Sequence, residues 1–74
     1  MGLTRILLAD DHEVVRAGYR RLLESTHGME VIAEAASGEE AYNRYCEHKP
    51  DVVVMDLTMP GMGGLEASRR ILTY

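Results

Sequence analysis

The chain is expected to fold as an α/β domain on a parallel sheet, in the order βαβαβα. Three observations predict this. Short apolar runs alternate with stretches of helical periodicity. The runs Ile6-Leu7-Leu8-Ala9 and Val52-Val53-Val54-Met55 show no polar alternation, as expected of strands covered on both faces. Each of these runs ends in acid: Asp10 and Asp11 after the first, Asp56 after the other. Strands separated by helices pair in parallel through right-handed crossovers.

Residues 4–9 read as a short, continuously apolar strand. Asp11 is expected to cap a helix from about His12 to Ser25. Val15, Tyr19 and Leu22 recur there at helical spacing, and Val14 and Leu23 widen the stripe. Gly18 costs about 1 kcal/mol inside a helix and is expected to allow close packing on the sheet. Gly28 supplies a left-handed stop. Residues 30–36 form the second strand. Ser37, with glutamate at Glu40, is a capping box and starts a helix that runs to about Glu47. Ala41 and Tyr45, four apart, face inward. Pro50 pushes Lys49 out of helical geometry and ends that helix. Residues 51–55 are the third strand. A Gly- and Pro-rich loop follows over residues 57–64, and a third helix begins near Leu65.

With 74 residues the chain is one domain at most. A domain this small buries only about 60% of its unfolded surface, so its stability is expected to be marginal. An all-apolar third strand belongs inside a sheet, not at an edge. The chain is therefore expected to be the N-terminal part, residues 1–74, of a larger α/β domain. Left alone, the open edge of the third strand predicts a homodimer, a swapped assembly or aggregation. No apolar run reaches the roughly 18 residues of a membrane span, and no signal-peptide pattern opens the chain. The net charge is −4, and the basic residues Arg20-Arg21 and Arg69-Arg70 are only pairs, so this segment is not expected to bind nucleic acid. The lone Cys46 forms no internal disulfide, which fits a reducing cytoplasm.

The three carboxylates carry the chemistry. A carboxylate just after a buried strand lies at the rim of the sheet. If the first strand lies between the other two, Asp10, Asp11 and Asp56 meet where the strand order reverses, the ligand-binding crevice of open α/β sheets. At roughly 5 Å and an effective dielectric of about 20, each carboxylate pair repels by about 3 kcal/mol. An oxygen-loving divalent cation removes that cost, and Mg²⁺ suits one or two carboxylates, waters and phosphoryl oxygens. With the charge neutralised, one carboxylate can attack a phosphoryl group. Asp10 or Asp11 also suits a helix cap. His12 reads as a solvated residue at a helix start, with metal ligation as the sharper alternative. Met59 and Met62 read as packing or as a cover over the site.

The run Leu7-Leu8-Ala9-Asp10-Asp11-His12, followed by Val53-Val54-Met55-Asp56-Leu57-Thr58-Met59-Pro60-Gly61-Met62-Gly63-Gly64, resembles the receiver domain of two-component response regulators. The resemblance implies a flavodoxin-like sheet with strand order 2-1-3, truncated after the third helix. It implies Asp56 as phosphoacceptor. It implies that Asp10, Asp11, Asp56 and the backbone carbonyl of Thr58 hold Mg²⁺. A histidine kinase is the implied partner. The helix Val14-Val15-Arg16-Ala17-Gly18-Tyr19-Arg20-Arg21-Leu22-Leu23-Glu24 is similar to first helices of the subfamily with a C-terminal LuxR-type helix-turn-helix domain. A cytoplasmic transcription regulator is thereby implied, binding DNA through a segment that lies outside this chain.

The family pattern also has a Ser or Thr after strand 4, and an aromatic residue and a Lys near strand 5, all beyond residue 74. Thr73 and Tyr74 do not stand in for them, and the single lysine, Lys49, lies at the opposite end of the sheet. Two other classes stay open. One is a Mg²⁺-dependent phosphohydrolase with Asp56 as nucleophile, although such enzymes place a second Asp where Thr58 stands. The other is an interaction module that no longer signals. The expectation is a phosphoacceptor and not an enzyme.

Overall fold

The computed structural model describes residues 3–57 together with 69 and 71. Three strands and two helices are set in order: β1 (Thr4–Ala9), α1 (Glu13–Glu24), β2 (Met29–Ala35), α2 (Gly38–His48) and β3 (Val52–Met55). The strands form one parallel sheet of order β2-β1-β3, as the alternation and the resemblance lead one to expect. Arg69 and Ile71 are helical. The rest of the third helix and residues 58–64 of the preceding loop lie outside the described residues. No helix among the described residues is long and apolar enough to cross a membrane.

The central place of β1 explains its composition. Ile6, Leu7, Leu8 and Ala9 are all buried, because successive side chains point to opposite faces and each face meets a helix. On one face Leu7, Ala9 and Ala35 pack with Ala41 of α2, and Ala33, Tyr45, Val53 and Met55 close around them. The inward pair Ala41 and Tyr45 is therefore where the helical spacing puts it. On β2 one residue is in excess. Ile6 pairs with Val31 but Leu7 pairs with Ala33, so Ile32 forms a bulge. A bulge on an outer strand twists the edge and discourages pairing with another chain.

On the other face α1 behaves differently from expectation. It carries no buried residue. Val14 is 86% exposed and Leu22 61%, and Val15 and Tyr19 are nearly half exposed. The stripe at helical spacing is real, but α1 lies chiefly over β2, where the sheet presents Glu34. Arg16 and Arg20, both paired with Glu34, help to hold the helix there. Gly18 also departs from its expected role: a Cβ at this position would meet nothing within 4 Å. β3 pairs with β1, and no strand lies beyond it among the described residues, so Val52 stays 44% exposed.

The helix ends are defined by local chemistry. The Ser37 side chain accepts from the Glu40 N–H at 3.1 Å, as a capping box requires. The Glu40 carboxylate reaches back one residue further than the usual pattern, to the Ala36 N–H at 2.7 Å. Gly28 has φ +88°, and its carbonyl accepts the Thr4 N–H at 2.7 Å, tying the turn to the start of β1. α2 stops at Lys49, which has φ 48° and donates its N–H to the Tyr45 carbonyl. The Arg5 guanidinium caps the same end, donating to the carbonyls of His48 and Lys49 at 2.7 and 3.0 Å. A left-handed lysine costs about 1 kcal/mol because its Cβ crowds the following carbonyl, a cost glycine avoids. Lys49→Gly is expected to raise the stability of the domain by up to about 1 kcal/mol, read as an increase in the denaturant midpoint at unchanged slope.

Candidate functional site

The backbone ladder continues one residue past the strands and carries the acids with it. The Asp10 N–H donates to the Ala35 carbonyl at 3.0 Å, at the end of β2. The Asp56 N–H donates to the Ala9 carbonyl at 2.9 Å, at the end of β1. Both residues are thus pinned to the carboxyl edge of the sheet by main-chain bonds, Asp10 at the end of β1 and Asp56 at the end of β3. Asp11 follows on the turn into α1. Ligand atoms of Asp10, Asp11, His12 and Asp56 all lie within 4.8 Å of one another. Asp10 is buried, Asp56 is half-buried, and Asp11 and His12 are exposed. Asp10 and Asp56 border a recess of about 330 Å³, with Leu8 and Val54 on its sheet side and Val15 and Tyr19 on its helix side.

The expected cap is corrected in detail. Asp11 does not cap α1. The N-cap is His12, whose side chain makes no capping bond. The Asp10 carboxylate instead accepts the His12 N–H at 2.8 Å, two residues on, as aspartate does in an Asx turn. This local bond orients the buried carboxylate before any ligand arrives.

The imidazole of His12 is more involved than a merely solvated residue. Its Nδ1 lies 3.1 Å from an Asp10 oxygen, 3.1 Å from an Asp11 oxygen and 3.7 Å from an Asp56 oxygen. It stands among the three carboxylates. The hydrogen bond with Asp10 raises the His12 pKa above its usual 6.5, and the charges of Asp11, Asp10 and Asp56 add to that, against an opposing effect of desolvation. A group with a raised folded-state pKa contributes stability that is fully present below the unfolded value and lost as pH rises through the folded value. Without divalent metal, the melting temperature is therefore expected to fall as pH rises from about 6.5 through the elevated His12 pKa. His12→Ala removes that slope, as melts at stepped pH will show.

The donor set fits Mg²⁺. Three carboxylates supply hard oxygens, and a nitrogen donor is a poor partner for this ion. Mg²⁺ usually keeps several waters and takes one or two carboxylates, which a site of this kind would allow. Asp10, Asp11 and Asp56 would hold it, and His12 would compete with it. Thr58, whose carbonyl the resemblance implies as a further ligand, lies outside the described residues.

Two residues that motif reading passed over also reach this site. Arg16 Nη1 donates to the Asp10 carbonyl at 2.7 Å, and Arg16 Nε donates to Glu34 Oε1 at 2.7 Å. The available signal was a glutamate inside an apolar strand, opposite two arginines one helical turn apart.

Comparison with known proteins places this geometry in a family. The family model described as "Response regulator receiver domain" matches residues 6–74. The response regulator GacA of Pseudomonas viridiflava is 50% identical over 70 residues, covering 95% of this chain and 33% of its own length. A LuxR-family two-component response regulator from Aurantimonas sp. SI85-9A1 superposes with a TM-score of 0.91 at 57% identity, covering 97% of this chain and 51% of that one. The receiver domain of the response regulator NarL from Mycobacterium tuberculosis superposes at 0.96 with 32% identity, covering 100% and 60%. This chain belongs to the response regulator receiver domain family of two-component systems. It spans about a third of the length of the curated relative and half to three-fifths of the solved chains.

Proposed function

We propose that the chain is a phosphoacceptor receiver: Asp56 takes a phosphoryl group from a histidine kinase, and Mg²⁺ is held by Asp10, Asp11 and Asp56. The observation that carries this reading is the convergence of these three carboxylates within 4.8 Å at the carboxyl ends of β1 and β3. Isolated surface acids repel and spread. These are instead held together by the main-chain bonds of Asp10 and Asp56 and by the Asx turn.

In the reaction, an Asp56 carboxylate oxygen attacks phosphorus. The new oxygen–phosphorus bond forms as the bond to the donor nitrogen breaks, and the electron pair leaves with that nitrogen. Mg²⁺, when bound, neutralises carboxylate and phosphoryl charge so that the two can approach. The chain's own residues do the placing. The sheet edge fixes Asp56, and the Asp10 and Asp11 carboxylates stand beside it. Acceptance is stoichiometric, so the domain is proposed to act as a signalling acceptor and not as a turnover enzyme. A DNA-binding output and a cytoplasmic setting are part of the same proposal, supported by likeness to GacA and to the LuxR-family structure.

The test is incubation of the full-length protein with acetyl phosphate and Mg²⁺, followed by intact mass measurement. One added phosphoryl group is expected, and peptide mapping is expected to place it on Asp56. No added mass, or addition at another residue, contradicts the proposal.

A further inference from the structure

We infer that Arg16, steadied by Glu34, is a positioning residue for the Asp10–Asp11 cation site; the inference rests on the receiver reading above. The carbonyl of Asp10 belongs to the peptide that joins Asp10 to Asp11. Arg16 Nη1 donates to it at 2.7 Å. The peptide on the other side of Asp10 is pinned by the bond from its N–H to the Ala35 carbonyl at 3.0 Å. With both flanking peptide planes held, the backbone torsions of Asp10 are set. The directions in which the Asp10 and Asp11 side chains leave the chain follow from them.

Glu34 makes this arrangement compatible with a cation. It projects from β2 toward α1 and accepts from Arg16 Nε at 2.7 Å and from Arg20 Nη1. Burial pushes its pKa up, but the hydrogen bonds from Arg20 and Arg16 outweigh burial and hold it below the usual carboxylate value, so it is ionised near neutral pH. An unpaired guanidinium this close to the acids would repel Mg²⁺. Paired with Glu34, Arg16 presents its N–H to the Asp10 carbonyl with its charge largely offset. Its side chain is only 19% exposed, so the fork is held in place and not merely resting on the surface. Arg20 shares Glu34 and also pairs with Glu24, but no bond links it to Asp10. That difference separates positioning from simple anchoring of α1.

The sign of the effect decides the matter. If Arg16 acted only as a nearby positive charge, Arg16→Ala would tighten Mg²⁺ binding. If it only anchored α1, Mg²⁺ affinity of the folded protein would stay the same. A positioning residue predicts weaker binding. In the full-length protein, calorimetric titration with Mg²⁺ is expected to show about tenfold weaker binding for Arg16→Ala, in the range found for outer-shell partners of metal ligands. The half-saturating Mg²⁺ for phosphorylation by acetyl phosphate is expected to rise by the same factor, with the plateau rate retained. Arg16→Lys keeps the charge but loses the fork that spans Asp10 and Glu34, and it is expected to weaken Mg²⁺ binding as well. It serves as the second variant should Arg16→Ala not fold. Arg20→Ala is expected to lower the melting temperature and leave Mg²⁺ affinity as it was. Unchanged or tighter Mg²⁺ binding in the Arg16 variants overturns the inference alone, as does equal weakening in Arg20→Ala. A wild-type protein that binds no Mg²⁺ overturns the metal site and the inference together.

Discussion

Asp56→Asn is expected to abolish phosphorylation by acetyl phosphate and Mg²⁺ and, in the same protein, to raise the stability of the metal-free domain. The two effects share a cause. Asp56 supplies the attacking oxygen, and an amide in its place is a far weaker nucleophile. It also supplies one of three negative charges gathered within 4.8 Å. At roughly 5 Å and an effective dielectric of about 20, each pair repels by about 3 kcal/mol. Partial exposure of the carboxylates and the His12 imidazole at the centre of the group reduce this. A net gain of about 1–2 kcal/mol is expected for Asp56→Asn in chelator-treated protein. Saturating Mg²⁺ is expected to reverse the order, because the ion stabilises the wild type by mass action and the variant less. Melts with and without Mg²⁺ measure both. A metal-free variant no more stable than wild type would show that the three charges are not held together as described.

Leu7→Ala is expected to cost about 3–5 kcal/mol, a large part of the stability of a domain this size. Leu7 is fully buried at the centre of the sheet and packs with Ala9, Ala35 and Ala41. Three of the four residues in that cluster are alanines, so few flexible side chains are present to fill the space left behind. The contrasting substitution is Leu22→Ala on α1. Leu22 is 61% exposed, and a loss within about 0.5 kcal/mol is expected. Urea unfolding of the two variants measures the difference. Equal losses would mean that the face of α1 is as well buried as the core behind α2.

Strand existence and the acids that end the strands were legible because they rest on short-range rules, whereas the strand order was implied by the family resemblance. An uninterrupted apolar run such as Ile6–Ala9 can only be a strand or a buried helix segment, and the acids at its end leave it no length for a helix. Ser37 and Glu40 mark a helix start through bonds that span three residues. The convergence of Asp10 and Asp56 follows once the strands pair in parallel, because the ladder then holds both at one edge.

Local pattern could not reveal what depends on the position of α1. The stripe of Val15, Tyr19 and Leu22 predicted an inward face, yet periodicity reports which residues share a face and not what lies opposite. Opposite Val15 and Tyr19 lie Leu8 and Val54 across an open recess, while Arg16 and Arg20 of the same helix pair with Glu34. The role of His12 was hidden for a similar reason. One bond to Asp10 is local, but the approach to Asp56 requires β3 to lie beside β1.

By itself the sequence determined the alternation of strands and helices and the acids that end the first and third strands, since each follows from burial periodicity and chain connectivity; the central place of the first strand was implied by the family resemblance. Only the tertiary structure decided that Arg16 reaches the Asp10 carbonyl and that His12 stands among the carboxylates. Both contacts depend on the placement of α1 against the sheet, which the summed side-chain interactions across two elements set and no run of neighbouring residues encodes.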